Sequence, residues 1–266
     1  MVEQYGELEE LARRTRIRIL EMIHSAGSGH PGGSLSSVEI LVTLYFKVMD
    51  ESKGDRFILS KGHAAPLLYA VLMEKGVLPP ETDSLRKLSS PLKGHPDALR
   101  TPGVEVSSGS LGNGLSVAAG LASALRLDGS GGRVYCLLGD GELDEGLVWE
   151  AAMLAGSLGL ENLTAVVDRN MLQIDGCTED LVRLEPLADK WRAFNWRVYQ
   201  CDGHSFPQLH EALQQAQSDG GPSVLIARTV KGKGVSFMEN NVAFHGKAPN
   251  DEEFMEAMRE LGGWKP

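Results

Sequence analysis

Arg133-Val134-Tyr135-Cys136-Leu137-Leu138-Gly139-Asp140-Gly141 is the stretch whose reading decides the fold. Its first six residues form a short run of strand character, mostly apolar. The run gives way to Gly139, so Asp140 stands where a buried strand ends. Leu147 to Leu158 follows with apolar residues at helical spacing. Leu163-Thr164-Ala165-Val166-Val167 reads as a second buried strand, with Asp168-Arg169-Asn170 directly after it. A strand, helix, strand succession makes a right-handed crossover, so the two strands are expected to be parallel. Asp140 and Asn170 then project from the carboxyl ends of two strands of one sheet, where open α/β sheets bind ligands. A carboxylate and an amide oxygen are hard donors. They suit Mg²⁺, which completes its octahedron with phosphate oxygens and water. The flanking glycines let the backbone come close to those phosphates. Gly-Asp-Gly alone also makes an ordinary turn, and Asn is common after strands. The pair of acceptors on successive strand ends is what points to a metal holding a diphosphate.

Outward from this unit the alternation continues. Helical periodicity covers Leu8 to Ser25, Ser37 to Val48 and His63 to Lys75, with Arg56-Phe57-Ile58-Leu59-Ser60 as a short strand between the last two. An apolar helix from Leu115 to Leu127 leads into the strand before Asp140. Two more strands, Trp196 to Cys201 and Ser223 to Arg228, enclose a helix from Phe206 to Ala216. Alternating strands and helices indicate a parallel sheet covered on both faces. The expected fold is therefore α/β, a three-layer, doubly wound, mostly parallel sheet. No repeat, low-complexity segment or linker interrupts it, so residues 1–266 read as one domain. Thr229 to Asn250 is Gly-rich and polar and reads as a long functional loop.

The chain has 266 residues and a formal net charge of −10, with 42% hydrophobic and 23% charged residues. It is long enough for one large α/β core. The acidic balance and the lack of a basic stripe argue against nucleic acid as a partner. Cys136, Cys177 and Cys201 form no CxxC pair, which fits a reduced, cytoplasmic compartment. No signal peptide or continuous apolar span is visible, so no membrane is expected.

Leaving aside His204, which follows Gly203, four of the seven histidines sit in loops next to Gly or Pro: His30, His63, His95 and His245. Such positions allow tight backbone shapes near a ligand, and imidazole donates to phosphate or hydroxyl oxygens and shuttles protons near neutral pH. A single histidine of this kind is ordinarily solvated. Four with the same dressing point to a polyhydroxy or phosphorylated substrate. His24 and His210 fall on helices as structural residues, and His204 reads as a turn or helix-cap residue. Ser108-Gly109-Ser110-Leu111-Gly112-Asn113-Gly114 has its glycines in the wrong order for a dinucleotide fingerprint. It remains a backbone cradle at a helix start. Lys231-Gly232-Lys233-Gly234 lacks the spacing of a P-loop.

Taken together and in order, several blocks resemble transketolase, specifically its thiamine-diphosphate-binding N-terminal domain, over nearly the whole chain. They are Ser28-Gly29-His30-Pro31-Gly32, Leu59-Ser60-Lys61-Gly62-His63, Gly94-His95-Pro96, Pro102 to Glu105 with Ser108 to Gly112, Gly139-Asp140-Gly141 through Asn170, and His245-Gly246. The resemblance implies Asp140 and Asn170 as metal ligands, with the Leu172 carbonyl as a third. It implies that Gly141 approaches the diphosphate, that His63 and His245 hydrogen-bond it, and that Gly109, Ser110 and Leu111 lie near the aminopyrimidine. His30, His95 and His245 would line the substrate channel, and Glu145 would join a subunit-crossing hydrogen-bond network. Ser110 departs from the family's usual Pro, and Arg169 from its frequent Asp or Asn.

The implied chemistry is transfer of a two-carbon ketol unit from a ketose phosphate to an aldose phosphate, as in the pentose phosphate pathway, with thiamine diphosphate and Mg²⁺ or Ca²⁺. The family's cofactor-activating Glu belongs to the pyrimidine-binding domain, which this chain would lack. The expectation is one half of a split transketolase, completed by a C-terminal subunit in an α2β2 heterotetramer. A subunit of deoxyxylulose-phosphate synthase or of a 2-oxo acid dehydrogenase, a non-catalytic relative and an unrelated NAD-binding protein are the alternatives.

Overall fold

A computed structural model describes residues 5–263. The chain opens on helix α1 (Gly6–Ala26), which stops at Gly27 in the left-handed conformation (φ 61°) that glycine adopts freely. Short helices α2 (Pro31–Leu35) and α3 (Val38–Thr43) follow, and α3 runs into a π turn at Leu44–Val48. Strand β1 (Arg56–Leu59) and helix α4 (Ala65–Glu74) come next. After a long irregular segment, α5 (Asn113–Leu127), β2 (Val134–Gly139), α6 (Gly146–Leu158) and β3 (Leu163–Arg169) form the unit that the opening stretch anticipates. The rest comprises α7 (Thr178–Leu181), α8 (Leu187–Ala193), β4 (Arg197–Asp202), α9 (Phe206–Ser218), β5 (Ser223–Arg228) and α10 (Asp251–Glu260).

All five strands are parallel, in the order β1-β2-β3-β5-β4. Side chains alternate across the pleat and divide the core in two. Tyr135 and Leu137 of β2, with Phe57, Val166 and Leu225, pack under α1, α3, α4 and α9. Val134, Cys136 and Leu138, with Ala165, Val167 and Ile226, pack under α5, α6 and α8, where Trp191 is fully buried. Helices on both faces make the three layers that were expected. Each fully buried large side chain contributes roughly 1.5–3 kcal/mol.

The structure corrects several local expectations. His30-Pro31-Gly32-Gly33 is not loop throughout, because His30 is the N-cap of α2 and Pro31 opens its first turn. The helix expected over Ser37 to Val48 changes pitch at Leu44. Helices α7, α8 and α10 were not anticipated. The last is closed by a capping box: the Asn250 side chain accepts from the Glu253 N–H, and the Glu253 carboxylate accepts from the Asn250 N–H, both at 2.9 Å. Thr229 to Asn250 is irregular as expected, apart from the single turn Val242–His245. The single-domain reading of 1–266 extends to residues 1–4 and 264–266, which lie outside the described residues. Cys136, Cys177 and Cys201 are free thiols. No helix among the described residues is long and apolar enough to cross a membrane.

Candidate active site

The carboxyl ends of β1, β2, β3 and β5 meet at one cavity. It is lined by Gly33, Lys61, His63, Leu111, Gly139 to Glu142, Asp168, Asn170, Leu172, Gln173, Ile174, Lys231 and His245. Eight expected site residues bear on it: Asp140, Gly141, Asn170, Leu172, Leu111, His63 and His245 line it, and the His30 ring stands 5.3 Å from His63 and 5.6 Å from His245.

Asp140 follows β2 and is almost fully buried. Its Oδ1 accepts from the Gly141 N–H at 2.9 Å, and its Oδ2 from the Met171 N–H at 2.6 Å and from Arg169 Nη1 at 3.2 Å. Burial and the Asp168 charge push the Asp140 carboxyl up to about 6, so the anion lacks full compensation. Asn170 follows β3, and its Oδ1 accepts from the Leu172 N–H at 3.1 Å, which turns the chain sharply after the strand. The Leu172 carbonyl accepts from Lys231 Nζ at 2.9 Å. One carboxylate, one amide oxygen and one carbonyl oxygen form a hard donor set that suits Mg²⁺ or Ca²⁺. The under-compensated Asp140 and a carbonyl already turned toward a cation both fit a divalent ion. Gly141 fits a phosphate, since a Cβ there would come 2.8 Å from the Gln173 side chain.

Cations ring this floor. Lys61 is buried and donates to Asp168 Oδ2 at 2.6 Å, to Ser37 Oγ and to the Gly33 carbonyl at 2.7 Å. Lys231 is also buried, and desolvation lowers its ammonium to about 8. It lies 2.9 Å from His245 Nδ1. An ammonium has no lone pair, so Nδ1 accepts and the His245 proton sits on Nε2. Burial and neighbouring cations depress His30 and His245 to about 4, and His63 falls well below its ordinary value from burial and Lys61. His95 is lowered by burial and by Arg86. At neutral pH the cavity therefore presents neutral imidazoles, able both to donate and to accept.

The remaining expected residues lie beyond the cavity wall. His95 packs on the glycine loop: a Cβ at Gly109 would come 3.1 Å from its ring. Ser110 is exposed beside Leu111. Glu145 is exposed at the N-cap of α6 and is not brought into the cavity. Its Cβ presses on Gly112, where an added Cβ would stand 2.8 Å away. His24 stacks on Phe254 at 4.1 Å, and His210 bonds the Tyr5 hydroxyl at 3.2 Å, so both are structural. His204 does more than cap a turn. Its Nε2 accepts from the Val230 N–H at 2.8 Å, so Nδ1–H donates to Glu39 at 3.0 Å, and this anchors the loop carrying Lys231.

Sequence reasoning missed four residues. Asp168 is fully buried, and Lys61 with the Ser36 and Thr229 hydroxyls overcomes its desolvation and holds it down at about 2. Glu142 is buried as well. Its Oε2 accepts from the Gly139 N–H at 3.0 Å, and its Oε1 accepts from Ser60 and, at 2.9 Å, from the Gly112 N–H. It clamps the glycine loop to the end of β2. Lys61 and Lys231 complete the set. An acid ending a buried strand and lysines flanked by glycine were the available signals.

Comparison with known proteins agrees with this geometry. Residues 8–266 match the family described as "Transketolase, thiamine diphosphate binding domain". A 6-deoxy-6-sulfo-D-fructose transketolase subunit of Clostridium sp. (strain MSTE9) is 44% identical, over 98% of each chain. One of the apulose-4-phosphate transketolase subunits of Phocaeicola vulgatus is 41% identical, over 97% of this chain and 95% of that one. The crystal structure of transketolase from Campylobacter jejuni superposes with a TM-score of 0.88 at 32% identity, over 96% of this chain. This chain spans 42% of that enzyme's length. With the profile matched along nearly its whole length and the strand-end donors in place, the chain belongs to the transketolase family, as its thiamine diphosphate binding domain.

Proposed function

We propose that this chain is the N-terminal subunit of a two-subunit transketolase. It transfers a two-carbon ketol unit from a ketose to an aldose phosphate, with a divalent metal, Mg²⁺ or Ca²⁺, in the Asp140 site. The observation that carries the reading is the convergence of Asp140, Asn170, Leu172, Lys231, His63 and His245 on one cavity at the carboxyl edge of the sheet. Thiamine diphosphate, when bound, supplies the ylid chemistry of its thiazolium. Asp140, Asn170 Oδ1 and the Leu172 carbonyl would hold the metal, and Gly141, His63 and His245 the diphosphate. Lys231 adds a positive charge on the same wall. Neutral His30 and His95 would donate to and accept from sugar hydroxyls, and His245, with its proton on Nε2, would exchange a proton there.

Support for a companion chain comes from two sides. Relatives matched over 95–98% of their own length are named as subunits. Ile174, which lines the cavity, is 64% exposed, and Met171, next to the cavity residue Asn170, also exposes apolar surface. Such a rim fits a covering partner that brings the carboxylate for the aminopyrimidine. An α2β2 heterotetramer is the proposed assembly, and Glu145, exposed beside the glycine loop, is proposed to meet the partner. The two relatives are named for different ketoses, an apulose phosphate and a sulfo-fructose. The proposed donor class is therefore a ketose with an anionic end, of which pentose-phosphate sugars are one case. The cytoplasm is the proposed compartment.

The test is reconstitution. This chain alone is expected to show no ketol transfer, and addition of the companion chain should restore it at a fixed ratio. Full activity of this chain, shown free of the companion by mass spectrometry, would refute the two-subunit reading. A saturated complex inactive on every ketose with an anionic end would refute the reaction.

A further inference from the structure

Arg86 is a non-glycine residue held with φ at 63°, a conformation that L side chains rarely adopt. Its N–H donates to the Leu92 carbonyl at 2.7 Å, which folds the segment before His95 back on itself. Strain of this kind points to a task for the side chain. The guanidinium extends in two directions. Its Nη1 donates to Ser28 Oγ at 3.2 Å, two residues before His30. It also lies along Gly94, where a Cβ would come 3.1 Å from Nε and 3.4 Å from Cζ. Arg86 is exposed, and among the described residues no carboxylate pairs with it.

We infer that Arg86 is a positioning residue that braces the Ser28-Gly29-His30 and Gly94-His95 loops against each other and sets a fixed positive charge at the mouth between the two imidazoles. This rests on the reading of His30 and His95 as sugar-binding groups. The His95 loop is fixed on its other side by the Tyr69 hydroxyl, which donates to the Lys93 carbonyl at 3.0 Å and the His95 carbonyl at 3.2 Å. Arg86 supplies the missing brace. Around His30 the facing groups are Arg86, His95, His63, His245 and Lys231. None of them is an acid, and the Arg86 charge opposes protonation of both His30 and His95. His30 Nδ1 is buried without a hydrogen-bond partner, so no neighbouring group among the described residues offers the ring a proton or takes one from it at that nitrogen. A neutral, pre-aligned pair can donate to and accept from sugar hydroxyls, whereas a protonated pair only donates.

Two variants separate charge from geometry. Arg86→Gly tolerates the left-handed backbone and removes the guanidinium. Arg86→Lys keeps the charge and loses the planar fork. In the full chain, imidazole titration by NMR, assigned with His30→Gln and His95→Gln, should show both histidines titrating at higher pH in Arg86→Gly. In Arg86→Lys they should stay near wild type. In the reconstituted complex, Arg86→Gly should lower kcat/KM for the sugars roughly tenfold. Its acid limb should move to higher pH, cofactor affinity should change less than about twofold, and Arg86→Lys should restore the pH profile. Unchanged imidazole titration or unchanged sugar kinetics in Arg86→Gly overturns the inference. A wild-type complex without ketol transfer would instead overturn the reading of the site, and the titration would still test Arg86.

Discussion

The Lys231 ammonium stands 2.9 Å from the Leu172 carbonyl oxygen, the backbone donor expected to complete the metal site. A buried cation thus rests on an oxygen turned to receive a cation, one side chain away from the diphosphate position. Lys231→Met should weaken thiamine diphosphate binding by about ten- to a hundredfold, since a charge-assisted hydrogen bond contributes roughly 1.5–3 kcal/mol. Calorimetric titration of the assembled complex measures it. Equal affinity in the variant would remove Lys231 from the diphosphate wall.

Lys61 and Asp168 form a fully buried ion pair at 2.6 Å. Asp168→Ala leaves an uncompensated ammonium in the core and should destabilise the chain by about 3–5 kcal/mol. Adding Lys61→Met should recover much of that loss, because the pair's mutual attraction is set against the desolvation of both charges. Denaturant unfolding of the two single variants and the double variant checks this. Additive losses would mean that the two side chains act separately.

Both core patterns were legible in the sequence because they rest on short-range periodicity: β2 and β3 follow from runs of apolar residues, and the strand-end rule then places Asp140 and Asn170. The partners of the buried acids beside them, Asp168 and Glu142, come from remote sequence. Lys61 reaches Asp168 across 107 positions, and Glu142 reaches Gly112 across 30. No local pattern encodes such contacts. Helix α2 was hidden because Pro31-Gly32-Gly33 has the composition of a turn, yet all three residues are buried under neighbouring elements. Glu145 was assigned by resemblance alone, and the fold leaves it on the surface.

The cluster of depressed histidines predicts acid lability of the cofactor-free chain. His30 and His245 are neutral in the folded state down to about pH 4, whereas unfolded histidine titrates near 6.5. Between those values the unfolded chain binds more protons, so stability should fall as pH drops from about 6.5 to 4. Replacing both residues by Gln should flatten that part of the profile. Thermal unfolding across pH is the measurement, and a profile unaltered by the double substitution would show that other groups carry the dependence.

His95 and His30 should serve the sugar and not the cofactor. Either residue changed to Ala should raise KM or lower kcat, with a loss of roughly 1–3 kcal/mol in transition-state stabilisation. Cofactor affinity should remain close to wild type. Weakened cofactor binding with normal sugar kinetics would reverse the two roles.

The central claim is that the ends of β2 and β3 form a metal-dependent diphosphate site, and Asp140 is its one proposed charged protein ligand. The direct measurement is calorimetric titration of thiamine diphosphate into the complex of this chain with its companion, with Mg²⁺ and with EDTA, for the wild type and for Asp140→Ala. The account predicts tight binding only for the wild type with Mg²⁺, and no metal-dependent gain in the variant. Equal affinity in the wild type and Asp140→Ala, with the same response to Mg²⁺, would contradict it.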